Sequence, residues 1–299
     1  MHKPVLLNKV IEALNIQSGD IVLDGTVGGG GYLRRFCQLV GEKGTVIGLD
    51  QDNSVIEGMK DEINKRGTTV GPIHLINENF RNLDKVLDEL GISKVDKVVF
   101  DLGISSDQLD DSGRGFSFQK NEPLLMTFKK NLTDNDLTAK EIVNNWDEEN
   151  LADIIFGYGE ERFAKKIASG IFQARKEKPI ETTFDLVEVI KIAVPDWYQS
   201  KKIHFATKTF QALRIAVNDE IVALQEGLEK GFSSLSSGGR IAVVSFHSRE
   251  DRMVKVFFRE KKIKCEGILI VKKPIIPTRD EIQENPRSRS AKLRVIEKT

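Results

Sequence analysis

The sequence predicts an α/β protein in which a parallel, doubly wound sheet is interrupted by a helical insertion. Three observations predict it. Short apolar runs that end in an acid recur along the first third of the chain, and helical stretches alternate with them. The middle third carries amphipathic helices without a buried strand.

Asp20-Ile-Val-Leu-Asp24 opens the series, Thr45-Val-Ile-Gly-Leu-Asp50 repeats its form, and Val95-Asp-Lys-Val-Val-Phe-Asp101 repeats it again. Near-continuous apolar runs of this length suit strands covered on both faces. Residues 32–40, 52–65 and 82–90 are helical in character and supply the crossovers. The same alternation returns late, in Gly239-Arg-Ile-Ala-Val-Val-Ser-Phe246, a helix over 248–261, and strand-like runs at 267–271 and 292–296. In between, helical periodicity marks 139–146, 151–156, 160–175 and 184–193, with Pro179 and Pro195 at the expected boundaries. The expected organisation is a core of 1–108 and 209–299 around a helical insertion of 109–208.

The 299 residues hold 45 Lys+Arg and 45 Asp+Glu, with 39% hydrophobic and 30% charged residues, a composition that excludes a disordered chain. The longest apolar runs fall far short of the roughly 18 residues of a membrane span. The N-terminal Met1-His-Lys-Pro-Val-Leu-Leu-Asn-Lys carries no extended apolar region, so no targeting segment and a cytoplasmic location are expected. Two cysteines, Cys37 and Cys265, make neither a disulfide framework nor a four-ligand zinc site. The neutral total hides a polarity. Residues 77–111 hold nine acids and four bases, whereas 249–299 hold 15 bases and eight acids, a balance that suits contact with phosphates.

The most informative local feature is Asp24-Gly-Thr-Val-Gly-Gly-Gly-Gly31-Tyr, a glycine-rich turn between a strand and a helix. Glycines there let backbone approach a ligand and aim helix amides at it. The dinucleotide fingerprint needs glycines at i, i+2 and i+5. From Gly28 or Gly29 the last position falls on Leu33 or Arg34, so the fingerprint fails, and no Gly-Lys-Ser/Thr follows. What remains is an acid, a glycine turn, and a second acid, Asp50, at the end of the next strand. That acid is placed to accept ribose hydroxyls, and it also suits a helix N-cap.

Longer motifs then appear in order: Pro4-Val-Leu-Leu, Asp101-Leu-Gly-Ile-Ser-Ser-Asp-Gln108, Arg114-Gly-Phe-Ser-Phe118, Tyr158-Gly-Glu-Glu-Arg162, the stretch from His204 to Glu220, Ser245-Phe-His-Ser248, and Asn285-Pro-Arg-Ser-Arg-Ser-Ala-Lys-Leu-Arg294. From Pro4 to Arg294 the chain resembles the bacterial 16S rRNA (cytosine-N4)-methyltransferase family, RsmH (MraW). The resemblance implies a Rossmann-like class I S-adenosylmethionine methyltransferase sheet with an inserted helical domain that recognises substrate. It also implies methyl transfer from S-adenosylmethionine to the N4 amine of a cytidine in 16S rRNA, in the decoding region of the small ribosomal subunit. The implied cofactor contacts are Gly30, Gly31, Tyr32, Asp50, Phe80, Asp101 and Gln108. No metal and no membrane are implied, and either a monomer or a homodimer is compatible.

Two departures from the family pattern stand out. Gly30-Gly-Tyr-Leu33 replaces Gly-Gly-His-Ser, and Pro123-Leu-Leu-Met-Thr-Phe128 replaces Pro-Leu-Asp-Met-Arg-Met, so Leu125 and Thr127 stand where an acid and a base are usual. For the chemistry, Asp101 at a strand end is the expected acceptor of an N4–H bond, with Ser105 in the turn beyond it as the second catalytic residue. Phe116 and Phe118 suit either stacking on an unstacked base or core packing, and His247 suits a structural or RNA-facing role better than a nucleophile. A silent ribosome-binding or assembly factor that kept the fold is the alternative, because of Leu125 and Thr127. A nicotinamide oxidoreductase is disfavoured by the glycine spacing, and a DNA cytosine-N4 enzyme by the lack of a Pro-Pro-Tyr/Phe turn after Asp101.

Overall fold

The computed structural model describes residues 4–66, 71–130, 132–133 and 136–299; the first three residues of the N-terminal stretch read above lie outside it. Two compact units emerge: Met1–Gly103 with Ile221–Thr299, and Ile104–Glu220. The divisions expected at 108/109 and 208/209 fall inside helices, Ser106–Asp111 and Thr207–Asn218.

The first unit is built on seven strands: β1 (Ile21–Asp24), β2 (Thr45–Asp50), β3 (Ile73–Asn77), β4 (Val95–Asp101), β5 (Leu235–Ser245), β6 (Gly267–Leu269) and β7 (Lys292–Lys298). Their spatial order is β3-β2-β1-β4-β5-β7-β6. The first five are parallel, and β7 runs antiparallel to both β5 and β6. This is a doubly wound Rossmann-like sheet whose strand order reverses between β1 and β4, the place where such sheets open a crevice at the carboxyl ends of their strands.

The apolar runs serve two cores at once. Leu23, Ile47, Leu49, Val98, Phe100, Ile241 and Val243 point into one buried cluster. Their neighbours Val22, Val46, Val99, Ala242 and Val244 point into the other. A strand whose alternate residues are apolar on both faces has no solvent side, which is why these segments read as continuous rather than alternating. The Lys292-Leu-Arg-Val-Ile alternation also permits a charged edge strand in the sequence, but β7 is interior, paired on both sides. Its polar Lys292 and Arg294 are drawn to one acid, Asp251, at 2.8 and 2.7 Å.

The second unit is helical. Ala139–Asn145, Glu148–Gly157 and Thr183–Ala193 each begin after a Thr or Asp whose side chain accepts a backbone N–H of the first turn: Thr138, Asp147 and Thr182. Together with Ala164–Glu177 and Thr207–Asn218 they enclose a core that includes Leu124, Met126, Ile142, Leu151, Ile167 and Leu186. Thr127 is buried and its hydroxyl accepts the Lys129 N–H at 3.2 Å. The surrounding stretch is held by Asn218, whose amide donates to the Met126 carbonyl at 2.7 Å and accepts the Phe128 N–H at 2.8 Å. Among the described residues, no helix is long and apolar enough to cross a membrane.

Candidate functional site

The carboxyl ends of β1, β2 and β4 bring together the glycine turn and three acids, and the helix after β5 adds a fourth, Glu250. Leaving β1, Asp24 is fully buried and accepts the Thr26 N–H at 3.1 Å through one oxygen. Its other oxygen is buried without a hydrogen-bond partner. Burial, followed by the nearby Asp50, pushes the Asp24 carboxyl up to about 7.

The turn that follows is shaped by its surroundings as much as by its own freedom. Gly30 has φ +71, and a Cβ there would lie 1.8 Å from Met59 Cε. At Gly31 a Cβ would lie 1.9 Å from Pro4 Cγ. Arg34 braces the turn, donating to the Gly29 carbonyl at 2.7 Å while its other arm pairs with Glu62. The helix Gly31–Val40 starts at Gly30 with no side-chain cap, so its first amides are the polar groups offered at this end of the turn.

Asp50 closes β2. One carboxylate oxygen accepts the Gly28 N–H at 2.9 Å and the other accepts the Asp52 N–H at 2.9 Å. The helix-capping role open to Asp50 in the sequence is taken by Asp52, which accepts the Ser54 N–H at 3.1 Å.

At the end of β4, the Asp101 N–H donates to the Thr26 hydroxyl at 2.7 Å. Oδ1 of Asp101 is buried without a hydrogen-bond partner. Burial first, then Asp24 and Glu250, raises its carboxyl well above the ordinary range. Glu250 is itself buried, and one of its oxygens accepts the N–H groups of Phe246 (2.8 Å) and His247 (3.2 Å) beyond β5. His247 returns the bond, its Nδ1 accepting the Glu250 N–H at 3.3 Å, so the pair forms a capping box for Ser248–Ile263. His247 thus caps this helix through Nδ1.

The remaining expected residues fall in different surroundings. Tyr32 is buried, and its hydroxyl donates to the Val5 carbonyl, so only its backbone faces the turn's chemistry. Phe80 belongs to the core: its ring lies 4.9 Å from that of Phe100, against Gly227. Ser105 and Gln108 belong to the helical unit and serve each other, the Ser105 hydroxyl accepting the Gln108 N–H and the Gln108 side chain accepting the Ser105 N–H, both at 3.1 Å. Phe116 stacks on Phe128 at 5.6 Å and is buried, and Phe118 stacks on His204 at 4.5 Å.

Two residues outside the expected site residues organise the acids: Thr26, which fixes Asp101, and Glu250, which adds the fourth carboxylate. Thr26 lay inside the glycine motif; the hydroxyl two residues past the strand-end acid was the available signal. Buried acids that raise one another's pKa make a crevice that favours a cationic ligand and disfavours an anion. A sulfonium beside a ribose meets both features, the acids of β1 and β4 for the charge and Asp50 for the hydroxyls.

Comparison with known proteins bears on this chemistry. The family model described as the MraW methylase family matches residues 1–299. A "Ribosomal RNA small subunit methyltransferase H" of Clostridium botulinum (strain Kyoto / Type A2) is 41% identical over 312 residues, covering 99% of this chain and 98% of the relative. The protein of the same name from Acetivibrio thermocellus is 44% identical over 315 residues with the same coverage. Among solved structures, an rRNA methylase from Streptococcus thermophilus is 13% identical, with a TM-score of 0.45 over 100% of this chain and 98% of that one.

Proposed function

The chain belongs to the MraW methylase family, and from that premise we propose that it transfers a methyl group from S-adenosylmethionine to the N4 amine of a cytidine in 16S rRNA of the small ribosomal subunit. The observation that carries the reaction is the Asp101 carboxylate, buried at the end of β4 with one oxygen unpartnered and its backbone fixed by Thr26.

S-adenosylmethionine supplies an electrophilic methyl group on a cationic sulfur. The chain's own residues do the rest. The backbone of Gly30, Gly31 and Tyr32 lines the turn, Asp50 accepts ribose hydroxyls, and Phe80 supplies an apolar wall. Asp101 then acts on the nucleophile. The cytosine amine is weakly nucleophilic because its lone pair is delocalised into the ring. A carboxylate that accepts an N4–H bond localises that pair and stabilises the positive charge that builds on nitrogen. A neighbouring cation favours the ionised form of Asp101, so the base is made ready when the cleft is loaded. Ser105 is assigned a catalytic role and, by the family resemblance, Gln108 a cofactor contact and residues 109–208 the recognition of the RNA. The target base must leave its stack to reach the crevice.

The test is to incubate the protein with labelled S-adenosylmethionine and small subunits lacking the modification, and then map the labelled base. Label at N4 of a single cytidine supports the proposal. Label elsewhere rejects the site, and subunit binding without transfer points to an assembly factor.

A further inference from the structure

The helical unit carries an exposed face on which cations sit over aromatic rings rather than beside acids. Arg162 Cζ lies 4.9 Å from the Phe163 ring centre and 5.1 Å from that of Trp197. Lys201 Nζ lies 5.0 Å from the Trp197 ring and 5.1 Å from Tyr198, and Lys166 approaches Phe163 at 6.0 Å. Trp197 is 52% exposed. Arg162, Lys165, Lys166, Lys201 and Lys202 are exposed around it, and Asp196 is the acid on the same turn.

Several other lysines of the unit are matched by acids: Lys140 with Glu181 at 2.8 Å, Lys178 with Asp185 at 3.5 Å, Lys191 with Glu188 at 3.8 Å. Arg175 and Lys176 also lie over a ring, that of Phe172 at 4.7 and 4.6 Å, but there without the exposed indole. Here, among the described residues, Arg162, Lys166 and Lys201 have aromatic rings as neighbours in place of a carboxylate.

The platform is also fixed from beneath. The fully buried Glu161 accepts the Tyr198 hydroxyl at 2.6 Å through one oxygen and the Phe163 N–H at 2.8 Å through the other. That carboxylate ties the turn bearing Arg162 to the turn bearing Trp197. Phe163 packs edge-on against both Trp197 and Tyr198, at 5.9 and 4.9 Å.

We propose that the Arg162–Trp197–Lys201 face is an RNA-docking surface that grips the substrate's phosphate backbone and stacks an unpaired base. A guanidinium laid on an aromatic ring is desolvated on one face and rotationally restrained, while its in-plane N–H donors stay directed outward in the fork that matches a phosphate. With 52% of its surface exposed beside Arg162 and Lys201, the Trp197 indole leaves π-surface for an unpaired base to stack on, the combination found in single-strand binding platforms. The surface rests on the proposed RNA substrate but makes no use of the methyl-transfer crevice.

The experiment uses the full chain with intact small subunits lacking the modification. Filter binding is measured in the presence of S-adenosylhomocysteine across 50–200 mM salt. The Arg162→Ala/Lys201→Ala double variant is expected to bind about tenfold more weakly. Losing two phosphate contacts should also flatten the slope of log affinity against log salt by about 1.5. Trp197→Ala is expected to lose about 5- to 100-fold, and Trp197→Phe to retain most of the affinity. S-adenosylmethionine affinity measured in parallel reports that the sheet unit is intact, and the exposed double variant decides the matter if Trp197→Ala does not fold. RNA affinity and salt slope equal to those of the unaltered protein overturn the surface. If the variants lose RNA affinity yet the unaltered protein transfers no methyl, the surface stands and the proposed reaction falls.

Discussion

The Asp50 carboxylate accepts the Gly28 N–H at 2.9 Å, so the acid that ends β2 also holds the first bend of the glycine turn that follows β1. Two motifs that are separate in sequence therefore form one element. Asp50→Ala removes the acceptor for both Gly28 and Asp52, and is expected to cost about 1–3 kcal/mol of stability. The same variant should weaken S-adenosylmethionine binding by more than tenfold. Calorimetric titration checks this, and unaltered affinity would exclude Asp50 from the cofactor site.

Gly30 combines a positive φ with a neighbour that has no room to spare. Gly30→Ala is expected to lower stability by about 1–3 kcal/mol through backbone strain and displacement of Met59. Because Met59 Cε is the atom in the way, Gly30→Ala/Met59→Ala should recover part of the cofactor affinity lost by Gly30→Ala alone. A double variant no better than the single one would show that strain, not crowding, governs the turn.

Asp101→Asn keeps the side chain's size and one acceptor but removes the charge. Methyl transfer is expected to fall by about 10²–10⁴-fold, the range of a lost general base. The rate of the unaltered enzyme should rise with pH as Asp101 ionises, and Asp101→Asn should lose that limb. Single-turnover rates across pH measure both effects.

Asp24 affects stability with a definite sign. Its pKa is raised from 3.8 to about 7 in the folded chain. Below pH 4 the group is neutral folded or unfolded and carries no penalty. Between pH 4 and 7 the unfolded chain releases the proton while the folded chain keeps it, so stability falls as pH rises through this window and stays lower above it. The full loss is on the order of 4 kcal/mol. Asp24→Asn should flatten this slope in denaturant titrations of the ligand-free protein, and saturating S-adenosylmethionine should flatten it in the unaltered one.

The parts of the fold that were legible are those with one strong period. Strands such as β4 showed because both faces are apolar, and helices such as Thr183–Ala193 because a Thr cap precedes a regular stripe. Thr207–Asn218 was visible only as part of the His204–Glu220 motif; a seam of Thr209, Phe210, Ala212, Leu213 and Ile215 buries it nearly all round, which blurs the amphipathic signal. The strand-end acids Asp24, Asp50 and Asp101 were legible from position alone. The inner roles of Tyr32, Phe80 and Phe116 were not, because an aromatic beside a glycine turn or motif reads alike whether its ring meets a ligand or a neighbouring residue. Glu250 was hidden in a helix start, where an acid at the third position signals a capping box rather than a contribution to the charge around Asp101 at the end of β4.

The pairing of β4 with β5 also bears on how the chain reaches this state. Asp101 lies opposite Val244, and the entire helical unit lies in the chain between these neighbours. Joining strands so far apart in sequence carries a loop-closure cost and slows folding. A segment that collapses on its own local helices draws its two ends together before the strands meet. The insertion thereby acts as an internal clasp, shortening the search by which the central strands find one another, so destabilising its core is expected to retard sheet assembly without touching a residue of the crevice.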